Sequence, residues 1–284
     1  MKYKLTYNRL RSLFLLPSVI WMIIFFLVPI TLVLSLSFFE RGVYGGIEYN
    51  FTTKNFALIF DDLYYEIILR TFLFAFLNAM LCLLAGYPLA YYISTKNNNS
   101  LKNVLLILIL LPFWTNFLIR TFSWMMLLGN EGLINNILIK LSLINQPLEL
   151  LYTPFAVQLG LLYNYLPFMV LPLYASIEKI DKNLYLASKD LGASDFKTFW
   201  NVTLPLSSPG IFLGLFLVFI PSLGEFVIPD LLGGAKSPMI GNVIKDQYLT
   251  ARNWPFGSAL VFLIMLLILF GLAIRDKVFK FQSS

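Results

Sequence analysis

The sequence predicts an all-α, polytopic membrane protein with six transmembrane helices. Of the 284 residues, 58% are hydrophobic and only 13% are charged, about half of the charged fraction that is usual in soluble domains. Uncharged runs long enough for a helix to cross the hydrocarbon core recur six times along the chain. The same composition excludes a disordered chain, because disorder requires low hydrophobicity and high charge.

The predicted spans follow these uncharged runs and form one membrane domain over residues 1–284. We place them at about 12–39, 71–95, 103–124, 150–177, 205–227 and 253–274. The first span follows a basic start, as a signal peptide does, but its uncharged run exceeds the apolar core of a signal peptide. We therefore interpret it as a retained helix. Residues 132–143 form a shorter apolar pattern that carries Lys140 and predicts an interfacial helix.

The distribution of basic residues predicts that both termini are cytoplasmic. Lys and Arg resist translocation, and 13 of the 21 basic residues fall in the N-terminal segment, the second and fourth loops and the C-terminal tail. The N-terminal four are Lys2, Lys4, Arg9 and Arg11. The long fourth loop, 178–205, is therefore also expected in the cytoplasm. Since orientation accounts for the net charge of +6, the basic balance does not indicate nucleic-acid binding.

Missing residue types exclude several chemistries. Histidine is absent, which removes histidine-based triads, histidine metal sites and imidazole bases. The single cysteine, Cys82, allows no internal disulfide, and we interpret it as a buried apolar residue. No G-x-x-x-x-G-K-[ST] phosphate-binding loop occurs, so we do not expect this chain to hydrolyse ATP. We expect no catalytic residue, metal site or cofactor in this chain.

The fourth loop predicts two short helices joined by a bend. Asp181 or Asn183 can cap the first helix, and Gly192 fits the left-handed position that follows it. Ser194 can cap the second helix, which Pro205 is expected to end. A narrow face of small and apolar side chains on the first helix suits docking into a groove, and it comprises Leu184, Ala187, Ser188 and Leu191. The alternative is an amphipathic loop lying on the membrane surface.

The same loop resembles the signature of ABC-importer permeases: Glu-Ala-Ala, three residues, Gly, nine residues, then Ile-x-Leu-Pro. Leu186-Ala187-Ser188, Gly192 and Val202-Thr203-Leu204-Pro205 hold these positions with the same spacing. Leu186 stands where the family usually has Glu, which leaves the helix, glycine, helix geometry intact but removes a carboxylate. The resemblance implies a type I ABC importer permease fold. It also implies an ATPase-coupling function for Leu184, Leu186, Ala187, Ser188, Asp190, Gly192, Ala193, Leu204 and Pro205.

Three further blocks resemble the first permease subunit of spermidine/putrescine importers. They are LPFWTNFLIRTFSW at 111–124, GEFVIPDLLGG at 224–234, and 240–258, which begins IGNVIK. The resemblance extends over nearly the whole chain and implies ATP-driven, binding-protein-dependent import of polyamines across the inner (plasma) membrane. The implied partners are two cytoplasmic ATPase subunits, a second and homologous permease, and an extracytoplasmic polyamine-binding protein.

A path for a polyamine should offer carboxylates to the ammonium groups and aromatic faces for cation–π contact. Glu225 and Asp230 lie at the outer end of the fifth span, Trp114 lies in the third, and Tyr163 lies in the fourth. An ionisable residue at membrane depth usually faces a cavity or a partner. These four residues are therefore the candidate substrate-path residues.

Other interpretations stay open for this path and for the protein. Glu225 could pair with Arg120 or Arg252, Trp114 could belong to an interfacial aromatic belt, and Tyr163 could pack helices together. An importer of this class could carry another organic cation or a metal ion. A secondary transporter would want charges at the membrane midplane and an internal repeat, and an intramembrane hydrolase would need a Ser–Lys pair or paired Asp. We find neither set of features within the predicted spans.

Overall fold

The computed structural model describes the backbone of residues 15–282 and the side chains of that range except at positions 235, 270 and 273–282. Lys2, Lys4, Arg9 and Arg11, and the first three residues of the first predicted span, lie outside the described residues. Contacts divide the chain into two units. One unit holds the described residues up to Tyr65 together with those from Val243 onward, and the other holds Glu66–Asn242.

The described chain is mostly helical, which confirms the predicted fold class. Its helices are α1 Leu15–Leu36, α2 Lys54–Leu58, α3 Asp62–Ser94, α4 Asn99–Leu110, α5 Phe117–Leu128, α6 Leu133–Lys140, α7 Pro154–Glu178, α8 Lys182–Asp190, α9 Asp195–Leu206, α10 Ser208–Leu223, α11 Ile240–Leu249 and α12 Trp254–Gln282. A short antiparallel hairpin, which the sequence analysis missed, pairs β1 Phe39–Arg41 with β2 Ile47–Phe51.

Length and composition make three helices of the described chain, α1, α3 and α7, suitable for crossing a membrane. Two bent pairs raise that number to five if each pair counts as one span. Helix α3 begins at Asp62, nine residues before the predicted second span at 71–95. The ion pair between Glu66 and Arg70, at 2.7 Å and one helical turn apart, lies in this extension. Such pairs stabilise exposed turns, so α3 can continue beyond its apolar part.

The predicted third span, 103–124, is not one straight helix. Helix α4 continues as a 3₁₀ turn at Leu111–Trp114, and the axis then bends by 90° before α5. Thr115 is extended, and the Asn116 side chain accepts the Leu118 N–H at 2.8 Å, so a new helix starts with its own cap. Farther along, α6 lies within the segment predicted as a short helix at 132–143.

The predicted fifth span, 205–227, differs in the same way. Pro205 does not end the second loop helix, because a π-helical turn at Phe199–Thr203 carries the chain past it to Leu206. Pro205 is tolerated in the first residues after this wide turn, where a missing N–H costs little. The axis bends by 62° between α9 and α10, so the bend lies two residues beyond the proline.

Helix α10 packs along α7 in the unit formed by Glu66–Asn242, where two glycines allow a close approach. A Cβ atom on Gly210 would lie 2.6 Å from the carbonyl oxygen of Pro172, and one on Gly214 would lie 2.5 Å from the sulfur of Met169. The four-residue spacing places both glycines on one helix face, a common arrangement between transmembrane helices. A fully buried Cys82 belongs to the same core, as predicted.

The first unit is held by contacts around its hairpin. Arg41 donates to the carbonyl oxygen of Ala251 at 2.7 Å, and the N–H of Gly46 donates to the carbonyl oxygen of Arg252 at 2.8 Å. Gly46 has a φ of 83°, which favours glycine in the tight turn. The turn presents Tyr44, whose side chain is 97% exposed. Helix α12 packs against α1, α2 and β1 within this unit.

Candidate functional site

The fourth loop folds as the two helices that the sequence predicts. The Asp181 carboxylate accepts the Asn183 N–H at 2.9 Å and so caps α8. Gly192 has a φ of 78°, and its N–H donates to Lys189 O at 2.8 Å while the next N–H, of Ala193, donates to Ser188 O at 3.1 Å. These two bonds form a Schellman motif, in which glycine is the preferred left-handed residue. The predicted cap and the predicted bend are therefore confirmed.

Side chains on both sides of Gly192 fix the angle between α8 and α9. The hydroxyl groups of Ser188 and Thr198 lie 2.9 Å apart and share a hydrogen bond. The Lys189 Nζ atom lies 2.9 Å from the Asp195 carboxylate, and this hydrogen bond and charge raise the pKa of Lys189. Ser194 caps α9 by accepting the N–H of Lys197 at 3.4 Å, as predicted. The bend is thus a defined corner rather than a flexible link.

The predicted docking face of this corner is open in the described chain. Leu184 is 45% exposed and Leu191 is 89% exposed, although burial of such side chains would be favourable. Of the predicted coupling residues, six are exposed, namely Leu184, Leu186, Ala187, Asp190, Gly192 and Pro205, and three are partly buried, namely Ser188, Ala193 and Leu204. Phe196 and Trp200 of α9 add exposed aromatic surface that sequence reasoning had not singled out.

An ion pair fixes the position where α7 leads into this loop. Lys102 Nζ of α4 lies 2.6 Å from Oε1 of Glu178, the last residue of α7. The Lys102 side chain is only 7% exposed. Because an unpaired charge on the nearly buried Lys102 side chain would be unfavourable, this ion pair holds the two helices together at the point where the loop begins.

The segment at residues 225–236, which we name the Glu225 segment, contains both predicted carboxylates. The Glu225 carboxylate accepts the N–H groups of Phe226, Val227 and Ile228 at 3.1, 2.9 and 3.4 Å. The Tyr165 hydroxyl of α7 donates to its other oxygen at 2.9 Å. Glu225 is 9% exposed. Both oxygens therefore have local partners, and the side chain acts as a cap for the turn that follows.

Arg120 does not form an ion pair with Glu225 in the described chain. Its guanidinium donates to the carbonyl oxygen of Pro112 at 2.7 Å and lies over the Phe113 ring, 5.0 Å from the centroid. Arg120 thus braces the inside of the bend between α4 and α5. The alternative partner named above, Arg252, stays untested.

Asp230 lies on the exposed side of the Glu225 segment, in a π-helical turn at Pro229–Gly233. The opposite side is buried: Ile228 and Leu232 pack against α7, where Gly160 leaves room for them. The side-chain amide of Asn242 donates to the Asp230 carboxylate and to the carbonyl oxygen of Phe226, the latter at 2.8 Å. The segment therefore presents one carboxylate outward from a well-packed base.

The two predicted aromatic residues lie on other elements. Trp114 is 82% exposed at the end of the 3₁₀ turn that precedes α5. Tyr163 forms an edge-to-face contact with Trp124, with ring centroids 5.5 Å apart. Residues two apart on a helix point in different directions, so Tyr163 and Tyr165 lie on different faces of α7. The two carboxylates thus share one segment, whereas Trp114 and Tyr163 lie on other helical elements.

Sequence reasoning did not single out Asn242, which donates to the Asp230 carboxylate. Its Oδ1 atom accepts the N–H of Met239 at 2.9 Å, just before α11 begins. A polar side chain at the third helical position that bonds back to the capping residue is a recognised start signal. The pattern Met239-Ile-Gly-Asn242 could have indicated the cap, but its bond to Asp230 depends on tertiary structure.

Residues 83–280 match the family described as binding-protein-dependent transport system inner membrane component. This match covers more than half of the chain. The chain belongs to this family. It is accordingly a membrane-embedded transport component and not an enzyme, as the sequence analysis predicted.

Curated relatives of this transport component cover most of its length. The spermidine/putrescine transport system permease protein PotB of Salmonella typhimurium (strain SL1344) is 41% identical over 252 residues, which is 89% of this chain and 88% of that protein. The protein of the same name from Haemophilus influenzae is 44% identical over 239 residues, or 84% and 83% of the two chains. The one from Escherichia coli (strain K12) is 42% identical over 239 residues, or 84% and 86%.

A solved structure supports the fold of the transport component. A bacterial ABC transporter involved in the import of the acidic polysaccharide alginate contains a chain that matches with a TM-score of 0.75 at 18% identity, covering 97% of this chain and 98% of that one. At this identity the likeness concerns the fold alone. The resemblance to ABC-importer permeases drawn from the fourth loop is thereby confirmed at the level of fold.

Proposed function

We propose that the chain is a permease subunit of an ATP-driven importer that moves polyamines such as spermidine and putrescine into the cytoplasm. One observation carries the proposal: relatives named for spermidine/putrescine transport are 41% and 44% identical to it over 89% and 84% of its length. The outward carboxylate of Asp230 supports it, because a polyamine is a flexible cation that needs negative groups along its path. Trp114 offers an exposed aromatic face for cation–π contact.

In the proposed mechanism, a polyamine-binding protein outside the membrane delivers the cation to a cavity that this chain lines with a second, homologous permease. Asp230, Trp114 and Tyr163 contribute to the path, and Glu225 supports Asp230 by capping the segment that carries it. The cytoplasmic ATPase dimer docks on the face of α8 that includes Leu184, Ala187 and Leu191. Closure of the ATPase dimer then moves the loop at 178–205 and exchanges the outward and inward states of the six spans.

Expression of the chain with its partner subunits in cells that lack other polyamine importers tests this function. We expect uptake of labelled spermidine or putrescine that needs the chain, ATP and the binding protein. A strain without this one subunit serves as the control. Lack of uptake of both polyamines by a correctly assembled transporter would contradict the proposed substrate, and uptake of another organic cation or a metal ion would then identify the alternative.

The proposed orientation, with both termini and the fourth loop in the cytoplasm, can be tested by cysteine labelling in a Cys82→Ser background. Asn183→Cys in α8 and Tyr44→Cys in the hairpin are both exposed positions whose side chains make no hydrogen bond among the described contacts. An impermeant maleimide added to intact cells should label Tyr44→Cys only. Asn183→Cys should react only after permeabilisation. Its labelling in intact cells would contradict the proposed orientation and indicate the opposite one.

A further inference from the structure

We propose that Asn242 is a positioning residue that aims the Asp230 carboxylate at the substrate path. The inference rests on the proposed function, because it takes Asp230 to meet an ammonium group. Asn242 touches neither the path nor the substrate in this proposal. It acts through one hydrogen bond to Asp230 and one to the backbone of the same segment.

The hydrogen bonds of Asn242 determine how its amide is oriented. The side chain is 4% exposed, and its Oδ1 atom accepts the N–H of Met239 at 2.9 Å. Because the oxygen is directed at an N–H donor, the Nδ2 group must be the one that faces the carbonyl of Phe226 and the carboxylate of Asp230. One amide orientation therefore allows all three hydrogen bonds, and an amide flipped by 180° would lose them.

The chemistry of this position favours an amide over other side chains. A helix start such as that of α11 is served equally well by Asp or Glu, which accept the N–H of the capping residue. Either carboxylate would repel Asp230 and would leave the Phe226 carbonyl without a donor. An amide alone combines the accepting oxygen with two donor hydrogens. Asn242 therefore does more than cap α11.

The backbone on both sides of this bond is held in place, so the bond sets a direction for Asp230. Gly241 lies so close to the Glu225 segment that a Cβ atom would be 2.7 Å from the carbonyl oxygens of Gly224 and Glu225. The Glu225 side chain caps the start of the segment, and Ile228 on its inner side is fully buried. With both backbones fixed, the amide of Asn242 selects one direction for the Asp230 side chain.

The test compares Asn242→Ala and Asn242→Asp in two backgrounds, the unsubstituted chain and Asp230→Asn, in the complete transporter. Asn242→Asp keeps the cap on Met239 but replaces the donor by an acceptor. Loss of a charge-assisted hydrogen bond should lower polyamine uptake about ten-fold or more at saturating loaded binding protein. In the Asp230→Asn background, Asn242→Ala should change uptake less than two-fold, because residues that act through one another are not additive.

The exchanged pair Asp230→Asn with Asn242→Asp provides the rescue. It restores a donor opposite an acceptor and keeps one carboxylate at the site, so uptake should exceed that of Asn242→Asp alone. Equal losses caused by Asn242→Ala in both backgrounds, normal uptake by Asn242→Ala, or failure of both Asn242 variants to reach the membrane would each overturn the inference. Lack of polyamine uptake by the unsubstituted transporter would instead overturn the proposed function.

Discussion

Replacing Gly192 by valine should abolish ATP-driven uptake while the permease still reaches the membrane. Gly192 has a φ of 78°, and a β-branched residue in this region is a strong outlier. Backbone strain of this kind costs about 1–3 kcal/mol, comparable with the two bonds of the Schellman motif at about 0.5–1.5 kcal/mol each. The chain should therefore leave the left-handed conformation, and the corner between α8 and α9 should open.

The environment of Gly192 makes this a test of backbone conformation alone. No heavy atom lies within 4 Å of the position that a Cβ would occupy, so side-chain volume is not an obstacle. Gly192→Asn is the matched control, because asparagine is similar in size to valine but tolerates positive φ. We expect near-normal uptake for Gly192→Asn and none for Gly192→Val, measured with membrane amounts and ATPase co-purification. Normal uptake by Gly192→Val would contradict the proposed coupling role of this corner.

The same corner illustrates what a sequence can predict. Asp181, Gly192 and Ser194 act over two to five residues, and capping preferences of this range are properties of the local chain. Their predicted roles are confirmed by the hydrogen bonds. The polytopic membrane class could likewise be predicted from the sequence, because long uncharged runs are visible in the local sequence.

Features that depend on hydrogen-bond ladders and tertiary contacts were harder to predict from the sequence. The 90° bend after Trp114 lies inside a run of uncharged residues, where hydropathy does not distinguish a straight helix from two. Pro205 was expected to stop α9, but a π-helical turn accommodated it. The partners of Glu225 include Tyr165, 60 residues away in sequence, so no local pattern could separate a buried cap from an acid that faces a substrate.

Replacing Asp230 by asparagine should lower polyamine uptake by about 10- to 150-fold. The range corresponds to one charge-assisted hydrogen bond, roughly 1.5–3 kcal/mol, if the contact with an ammonium group forms in the rate-limiting state. Asparagine keeps nearly the same shape while removing the charge, and its oxygen can still accept from Asn242. The measurement is uptake of labelled spermidine and putrescine at saturating loaded binding protein, normalised to the amount of permease in the membrane.

Two other acids serve as comparisons for Asp230. Glu225→Gln should cause a smaller loss, because the amide oxygen can still accept the N–H groups of the capped turn and the Tyr165 hydroxyl can accept from the amide. Glu48→Gln, in the exposed hairpin, removes an acid that is not part of the Glu225 segment and should leave uptake unchanged. If Asp230 contacts the cation, the loss of uptake should be largest for Asp230→Asn, smaller for Glu225→Gln and absent for Glu48→Gln. If Asp230→Asn takes up both polyamines normally, Asp230 is a structural acid and the path must run elsewhere.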